Sequence, residues 1–197
     1  SRQEAAFDAL LPSVLLRGCE SAPDLRAIAR RTDDLYGASV GSCIRRLGDW
    51  QTTGLACGFV EDRFALAGDR IMEPTVALLQ ELLLHPVLEN GVFRQDVVET
   101  ERKSLVLTIE SEINDKRSYA QSQLLRKMCG DDPYAIPRLG EKEDVERITS
   151  EDLYAHYRRI LKESPIEVTY VGSMEPEAVA QLVRGMFRDL ERDYVNL

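Results

Sequence analysis

The sequence predicts an α+β domain in which a small antiparallel sheet is covered by helices. Most apolar residues recur at spacings of three and four, the period of an amphipathic helix. Two neighbouring segments instead alternate with a period of two and are separated by a tight turn at Gly48-Asp49. Strands joined by so short a turn pair antiparallel, and the order of elements lacks the strand–helix alternation of a doubly wound fold.

Helices and strands are assigned from these periodicities. Helices are predicted over about 7–15, 25–35, 71–84, 92–113, 119–129, 150–161 and from 176 onward. Strands are predicted over about 38–46, 51–60 and 166–171. Three strands make a thin sheet for so many helices, so we expect further strands upstream of residue 1. The chain, residues 1–197, is expected to form one domain of a longer protein.

Local signals refine the ends of several helices. Pro12 lies inside the first helix and is expected to kink it, because proline removes one backbone hydrogen bond. Gly18 is expected to end that helix. Ser21 is expected to cap the second helix, and Thr149 with Asp152 forms a capping-box pattern before the helix at 150.

Composition excludes several classes of protein. The net charge of −9 argues against a nucleic-acid-binding protein, which normally carries a basic face. No apolar run reaches the ~20 residues of a membrane span, and the longest dense stretch, 76–88, contains Gln80 and Glu81. The chain has no basic-then-apolar leader. Nucleic acid and membrane are therefore not expected as partners.

The cysteines give a prediction about the compartment. Cys19, Cys43, Cys57 and Cys129 are widely scattered and form no C-x-x-C pair. We expect four reduced, mostly buried side chains, as in a reducing compartment. The predicted location is the cytoplasm.

Histidines are too few for a catalytic metal site. A catalytic zinc needs about three protein ligands, and the chain has only His85 and His156, far apart in sequence. His85 precedes a proline at a predicted helix end, which favours capping or solvent exposure, whereas His156 lies on an amphipathic helix and is expected to pack. Nucleophile elbows and glycine-rich phosphate loops are also missing from the sequence. No metal and no cofactor are predicted.

Glu101 interrupts the apolar side of the long predicted helix. It lies four residues from both Val97 and Leu105, although glutamates avoid buried faces unless they are paired or bind a ligand. Two interpretations stay open. In the first, the glutamate reaches water or pairs with an arginine; in the second, it is a metal ligand or the remnant of one.

Several segments together resemble the insulinase/pitrilysin-type zinc metallopeptidases, the family that includes the mitochondrial processing peptidase. The similarity is greatest to bacterial members that lack catalytic residues. The matching segments, in chain order, are Val14-Leu15-Leu16-Arg17-Gly18-Cys19-Glu20, Leu35-Tyr36-Gly37-Ala38-Ser39, Leu82-Leu83-Leu84-His85-Pro86-Val87, Glu101-Arg102-Lys103, Asp132-Pro133-Tyr134, Gly140, Ile148-Thr149-Ser150-Glu151-Asp152-Leu153 with Tyr157, and Val171-Gly172. No single segment is specific to the family, but the number of matching segments and their order along the chain are specific to it.

The resemblance also shows where this sequence departs from the family. Counted from the segment at 14–20, the two histidines of the family's H-x-x-E-H motif correspond to Ala9 and Ser13, and its glutamate corresponds to Pro12. The third zinc ligand corresponds to Glu101, and a second family acid corresponds to Thr108. Histidine ligands and a general base are needed to activate water, so the resemblance implies an inactive domain. We expect these positions to face each other.

The resemblance implies a role as well as a fold. Family members stack two such lobes, within one chain or between subunits. The chain is therefore expected to be a catalytically inactive lobe that serves as the partner, or as a wall of the peptide chamber, of an active zinc peptidase homologue, with peptides as possible ligands. Two alternatives stay open: a binding or scaffold module that handles no peptide, and an enzyme whose active site lies in another part of a longer protein.

Overall fold

The computed structural model describes residues 1–193, so the last four residues of the predicted domain lie outside the described part. The described chain forms eight α-helices and four β-strands. The helices are α1 (Arg2–Leu15), α2 (Leu25–Asp34), α3 (Met72–Leu84), α4 (Gln95–Ser111), α5 (Lys116–Cys129), α6 (Lys142–Glu146), α7 (Ser150–Glu163) and α8 (Pro176–Met186). The strands are β1 (Ser39–Leu47), β2 (Trp50–Gly58), β3 (Leu88–Glu89) and β4 (Val92–Phe93).

Strands β1 and β2 form the predicted antiparallel hairpin. Ser39 lies opposite Gly58, and Leu47 lies opposite Trp50 across the turn. The turn is Gly48-Asp49, and its glycine has a φ of +61°, the left-handed conformation that two-residue hairpin turns require. The α+β class and the antiparallel sheet are thereby confirmed.

A second, very short hairpin corrects the predicted start of the long helix. The sequence predicts a helix that begins at residue 92. Residues 92 and 93 instead form β4, and α4 begins only at Gln95. Asn90 and Gly91 between β3 and β4 have φ values of 53° and 82°. An Asn-Gly pair in this conformation reverses the chain tightly, so the segment before α4 returns as a strand and buries Phe93 in the core.

The predicted third strand is not formed. Within the described chain, residues 165–171 do not pair with another strand, and the two sheets are β1–β2 and β3–β4. Val168 is 52% exposed and Val171 is 93% exposed. Alternation of side chains is a property of one segment, whereas a strand also needs a hydrogen-bonded neighbour. The expected strands upstream of residue 1 stay a prediction.

Two of the predicted helix ends differ in the structure. The cap of α2 is Asp24, whose carboxylate accepts from the Ala27 amide at 2.8 Å, whereas Ser21 donates to Glu81. Gly18 is not the residue that ends α1, because the helix ends at Leu15 with Leu16 as its cap. A Cβ at Gly18 would lie 2.6 Å from the carbonyl oxygen of Pro23, so glycine is required there by a close approach.

The predicted Thr149 cap of α7 is confirmed, but the reciprocal bond of a capping box, from the Thr149 amide to the Asp152 carboxylate, does not form. The Thr149 hydroxyl accepts from the Asp152 amide at 3.1 Å and donates to the Asp152 carboxylate at 2.8 Å.

Helix α3 is instead capped by a residue that is distant in the sequence. One oxygen of Asp62 accepts from the amides of Ile71 and Met72 at 2.9 and 3.0 Å. These hydrogen bonds lower the pKa of Asp62 below its usual value.

The main core lies where α1 meets β2, α4 and α7. Eight of the 14 residues of α1 are buried, and its apolar residues pack with the middle of α4 and α7. The buried residues of this cluster are Ala6, Leu10, Leu11, Val14, Leu15, Phe93, Val98, Val145, Ile148, Leu153, Tyr157 and Leu161. Burial of this size is the principal stabilising contribution to the fold.

The loop after α5 is fixed by side chains of the β1–β2 hairpin. Arg46 donates to the carbonyl oxygens of Tyr134 at 2.6 Å and of Pro133 at 3.1 Å, and its guanidinium lies 5.1 Å from the Tyr134 ring centre. Farther along, Gly140 packs directly against the backbone of Ala6.

None of the helices in the described residues is long and apolar enough to cross a membrane.

Candidate functional site

Helix α1 carries three of the predicted vestigial positions, Ala9, Pro12 and Ser13. Ala9 and Pro12 are buried and Ser13 is half-buried. Helix α1 packs against α4, on which Glu101 is also buried, at 8% exposure. Thr108 lies seven residues farther along α4 and is exposed, and its hydroxyl donates to the carbonyl of Ser104 at 2.9 Å. The structure therefore places Thr108 on an exposed part of α4, unlike the buried Glu101.

Helix α1 runs unbroken through Pro12. Proline has no N–H group, so the carbonyl of Asp8, four residues earlier, loses its usual helical partner. The hydroxyl of Thr53 on β2 donates to this carbonyl at 2.7 Å. Gln51 likewise donates to the carbonyl of Ala5 at 3.3 Å. The strand thus supplies the hydrogen bond that Pro12 removes, and it attaches α1 to the sheet.

Glu101 forms an ion pair with Arg17. A guanidinium nitrogen of Arg17 contacts Oε1 of the glutamate, and the two side chains are 35% and 9% exposed, respectively. The contact is an ion pair and not an aligned hydrogen bond, since within residues 1–193 no donor is aligned with Oε1. Of the interpretations left open for Glu101, the structure shows the pairing with an arginine.

Arg17 approaches Glu101 from the end of α1. Leu16 keeps helical dihedral angles, and the Arg17 amide donates to the Val14 carbonyl at 3.1 Å, so the helical turn continues to Arg17. Residues four apart lie on the same side of a helix. Ala9, Ser13 and Arg17 therefore follow one side of α1, and the last of them is the residue that reaches Glu101.

A small cavity lies beside Arg17. Its volume is about 20 Å³, which is enough for roughly one water molecule. Val14, Phe93 and Val97 supply apolar parts of its wall, and Arg17 and Arg94 supply cationic ones. This cavity borders Arg17 but not Glu101.

The residues at these positions do not fit a zinc ion. Zinc in a catalytic site takes three protein ligands from His, Cys, Asp or Glu. Of Ala9, Ser13 and Glu101, only the glutamate can be a ligand, and its charge is already compensated by Arg17. Over the part of the chain that is described, no group of three or more His, Cys, Asp and Glu side chains could hold a metal.

His156 has a packing role, as the sequence predicts. Its ring stacks on Phe7 with a centroid separation of 5.1 Å, and Nε2 lies 2.8 Å from an Asp8 oxygen. Arg159 donates to Nδ1 at 3.1 Å. Arginine can only donate, so Nδ1 is the acceptor and Nε2–H donates to Asp8. Both ring nitrogens are engaged in joining α7 to α1.

His85 is exposed and caps the C-terminus of α3, one of the two roles predicted for it. Its carbonyl accepts from the Glu20 amide at 3.0 Å. Sequence reasoning did not find the Asp8–His156 contact, because its partners are 148 residues apart and neither belongs to a motif. The basic residue at position 17 was visible inside the segment 14–20, but nothing in the sequence indicated that it turns toward Glu101.

Other residues of the matching segments position the helices around this site. Arg102 donates to the carbonyl of Ile148 at 3.0 Å, which joins α4 to the start of α7. The Tyr157 hydroxyl donates to the carbonyl of Leu83 at 2.8 Å, and burial raises the pKa of Tyr157 well above its usual value. Arg102 and Tyr157 therefore serve the packing of the domain.

The fold and the site together define a class, the metallopeptidase-like domain without a set of zinc ligands. A protein of Bacillus subtilis (strain 168), "Probable inactive metalloprotease YmfF", is 31% identical over 192 residues, which cover 98% of this chain and 45% of that protein. No protein-family model matches the chain.

Two solved structures have the same fold. A conserved protein from Enterococcus faecalis V583 has a TM-score of 0.86 at 22% identity, covering 98% of this chain and 45% of its own. A peptidase M16 inactive domain from Pseudomonas fluorescens has a TM-score of 0.69 at 17% identity, covering 98% and 42%.

These likenesses confirm the resemblance found in the sequence: the chain is similar to a protein named an inactive metalloprotease and has the fold of an M16 peptidase inactive domain. It spans less than half the length of each of these relatives.

Proposed function

We propose that this chain is a catalytically silent metallopeptidase-like lobe that serves as the non-catalytic partner, or as a wall of the peptide chamber, of an active zinc peptidase homologue. The observation that carries the proposal is the ion pair between Arg17 and Glu101. In this role the lobe contributes shape and binding surface, and the chemistry takes place on the homologue.

The loss of chemistry follows from the residues on α1. If Ala9, Pro12 and Ser13 occupy the positions of the zinc motif, the chain lacks both histidine ligands and the general base. A metallopeptidase needs the ligands to hold the metal and the base to deprotonate the attacking water. Glu101 and the exposed Thr108 supply neither, so we assign all five as vestigial positions.

A partner role is supported by the relatives. The relative from Bacillus subtilis is itself named an inactive metalloprotease, and this chain corresponds to 45% of its length. A lobe of this size leaves room for a second lobe in the same chain or in another subunit. The four cysteines are unpaired, which suits a reducing compartment and a cytoplasmic location.

Catalytic silence is tested by a cleavage assay. The purified full chain is incubated with a peptide library and zinc, alongside a homologue that has an intact H-x-x-E-H motif. We expect the homologue to cleave peptides and this chain to cleave none. Chelator-sensitive cleavage that disappears in the Glu101→Ala variant would overturn the proposal.

The partner role is tested by affinity purification of the tagged full chain from its own cells. The proposal predicts recovery of a homologue with an intact H-x-x-E-H motif in a fixed ratio to this chain. Recovery of the chain without such a homologue contradicts the partner role and favours the scaffold module instead.

A further inference from the structure

Helix α5 is attached to the domain largely through polar contacts. Ser122 donates to Glu112 at 2.7 Å, and Arg126 pairs with Glu141 at 3.0 Å. A helix of 14 residues is only marginally stable alone, and most helices in proteins are stabilised by packing an apolar face. Within the described chain, however, no residue of α5 is buried. This helix therefore has room for a further contact outside the domain.

The outward side of α5 carries two exposed apolar residues. Leu124 is 56% exposed and Met128 is 72% exposed, and residues four apart lie on the same side of a helix. Leu124 is two residues from both Ser122 and Arg126, and residues two apart point about 200° apart on a helix. The apolar pair therefore faces away from the domain.

The charges around Leu124 have opposite signs at equal distances along the chain. Arg117 lies seven residues before Leu124, and Asp131 lies seven residues after it. Seven residues are about two helical turns, so Arg117 is on the side of Leu124, and Asp131 follows just beyond the end of α5. Both charged residues are exposed, and neither forms an ion pair within residues 1–193. A stripe with this arrangement is complementary to itself when it is turned end over end.

We propose that the outward side of α5 is a self-association surface, which pairs antiparallel with α5 of a second copy of the chain about a twofold axis at Leu124. Around this axis Leu124 contacts its own copy, and Met128 contacts Ala120 of the second copy. Arg117 lies beside Asp131 of the second copy, and the reverse pair forms by symmetry. The apolar contacts supply affinity and the two ion pairs fix the register. This surface goes beyond the partner role proposed above.

The contact of one helix with its copy is small. The 14 residues of α5 extend over about 21 Å, so the pair buries less than the ~1,200 Å² at which stable interfaces begin. We therefore expect a weak dimer. Because exposed ion pairs are screened by salt, it should form most readily at low ionic strength.

The test reverses the two charges separately and together. Sedimentation equilibrium of the full chain at low salt, up to about millimolar concentration, gives the dissociation constant of the dimer. Arg117→Asp and Asp131→Arg are each expected to weaken the dimer at least about tenfold, since attraction becomes repulsion at two symmetric places. The two changes combined restore opposite charges across the axis, so we expect the affinity of the natural chain to return. Within one chain the two positions are about 21 Å apart along the helix, too far for the rescue to be intramolecular.

Two further variants serve as controls, and circular dichroism confirms that every variant is folded. Arg30→Asp makes the same change of charge on an exposed residue of α2 and is expected to leave the dimer unaffected. Leu124→Lys places two cations at the axis and is expected to abolish the dimer.

Four results would overturn the inference. A natural chain that stays monomeric at about millimolar concentration has no such surface. A dimer that persists in Leu124→Lys associates through another face. A combined reversal as weak as the single changes refutes the antiparallel register, and equal weakening by Arg30→Asp reduces the effect to net charge. None of these results depends on whether a peptidase homologue is recovered from cells.

Discussion

The hydroxyl of Thr53 on β2 donates to the carbonyl of Asp8, the one carbonyl of α1 that Pro12 deprives of its helical partner. Proline in a helix interior normally costs about 3 kcal/mol, partly through this lost bond. The helix nevertheless continues through Pro12 to Leu15. The sheet side chain is therefore part of what allows a proline inside α1.

A double-mutant cycle tests this compensation. Thr53→Val should lower the free energy of unfolding by about 1 kcal/mol, because a partly buried carbonyl is left without a donor. In a Pro12→Ala background the same change should cost less, since the alanine N–H can bond to Asp8. Chemical denaturation of the four proteins measures the coupling. Strictly additive effects would show that the Thr53 hydroxyl does not compensate for the proline.

The Arg17–Glu101 pair should be strongly coupled in stability. Arg17→Met leaves a buried carboxylate uncompensated and should cost about 3 kcal/mol, the low end for a broken buried pair because Arg17 is 35% exposed. Adding Glu101→Gln removes the charge and should recover most of this loss. Urea unfolding of the single and double variants provides the comparison. If the double variant is as unstable as the sum of the two single changes, charge compensation is not the function of Arg17.

Gly140 should tolerate no side chain. Its φ is +75°, and an added Cβ would lie 2.7 Å from both Cα and Cβ of Ala6. Gly48 is a matched control, with a φ of +61° and open space around the added atom. Gly48→Ala should cost about 1–2 kcal/mol from backbone strain alone, and Gly140→Ala should cost clearly more. Equal shifts in thermal unfolding would contradict the close contact with α1.

The Asp62 cap of α3 should give a defined pH dependence. Hydrogen bonds from the Met72 and Ile71 amides lower the pKa of Asp62 in the folded state, so its stabilisation is present above the unfolded value of about 3.9. It is lost as the pH falls through the lower folded pKa. The difference in unfolding free energy between the natural chain and Asp62→Ala should therefore be constant near neutral pH and shrink below about pH 4. A difference that grows on acidification would refute the cap.

Much of the fold could be predicted because its signals are local. The β1–β2 hairpin follows from alternation and a glycine turn, and the Thr149 cap follows from side chains three residues apart. The β3–β4 hairpin was also readable at Asn90-Gly91, but the apolar spacing beyond it favoured a longer helix. The strand prediction within 165–171 is wrong for a different reason: no property of that segment shows whether a neighbouring strand exists.

Glu101 could be singled out from the sequence, but its partner could not. Glu101 was found because a carboxylate within an apolar stripe requires a partner. Its partner Arg17 is 84 residues earlier in the sequence (101 − 17) and lies just beyond the C-terminal end of α1. Ion pairs of this kind depend on how α1 and α4 pack, and packing between distant helices leaves no signal at a fixed spacing.

Zinc content measured on the natural full chain tests the central claim most directly. The protein is equilibrated with excess zinc, dialysed and analysed by mass spectrometry for metal per chain, beside Glu101→Ala as a control. We predict no stoichiometric zinc in either protein, because Arg17 already compensates the one carboxylate at the site. One zinc per natural chain, lost in the Glu101→Ala variant, would contradict the account.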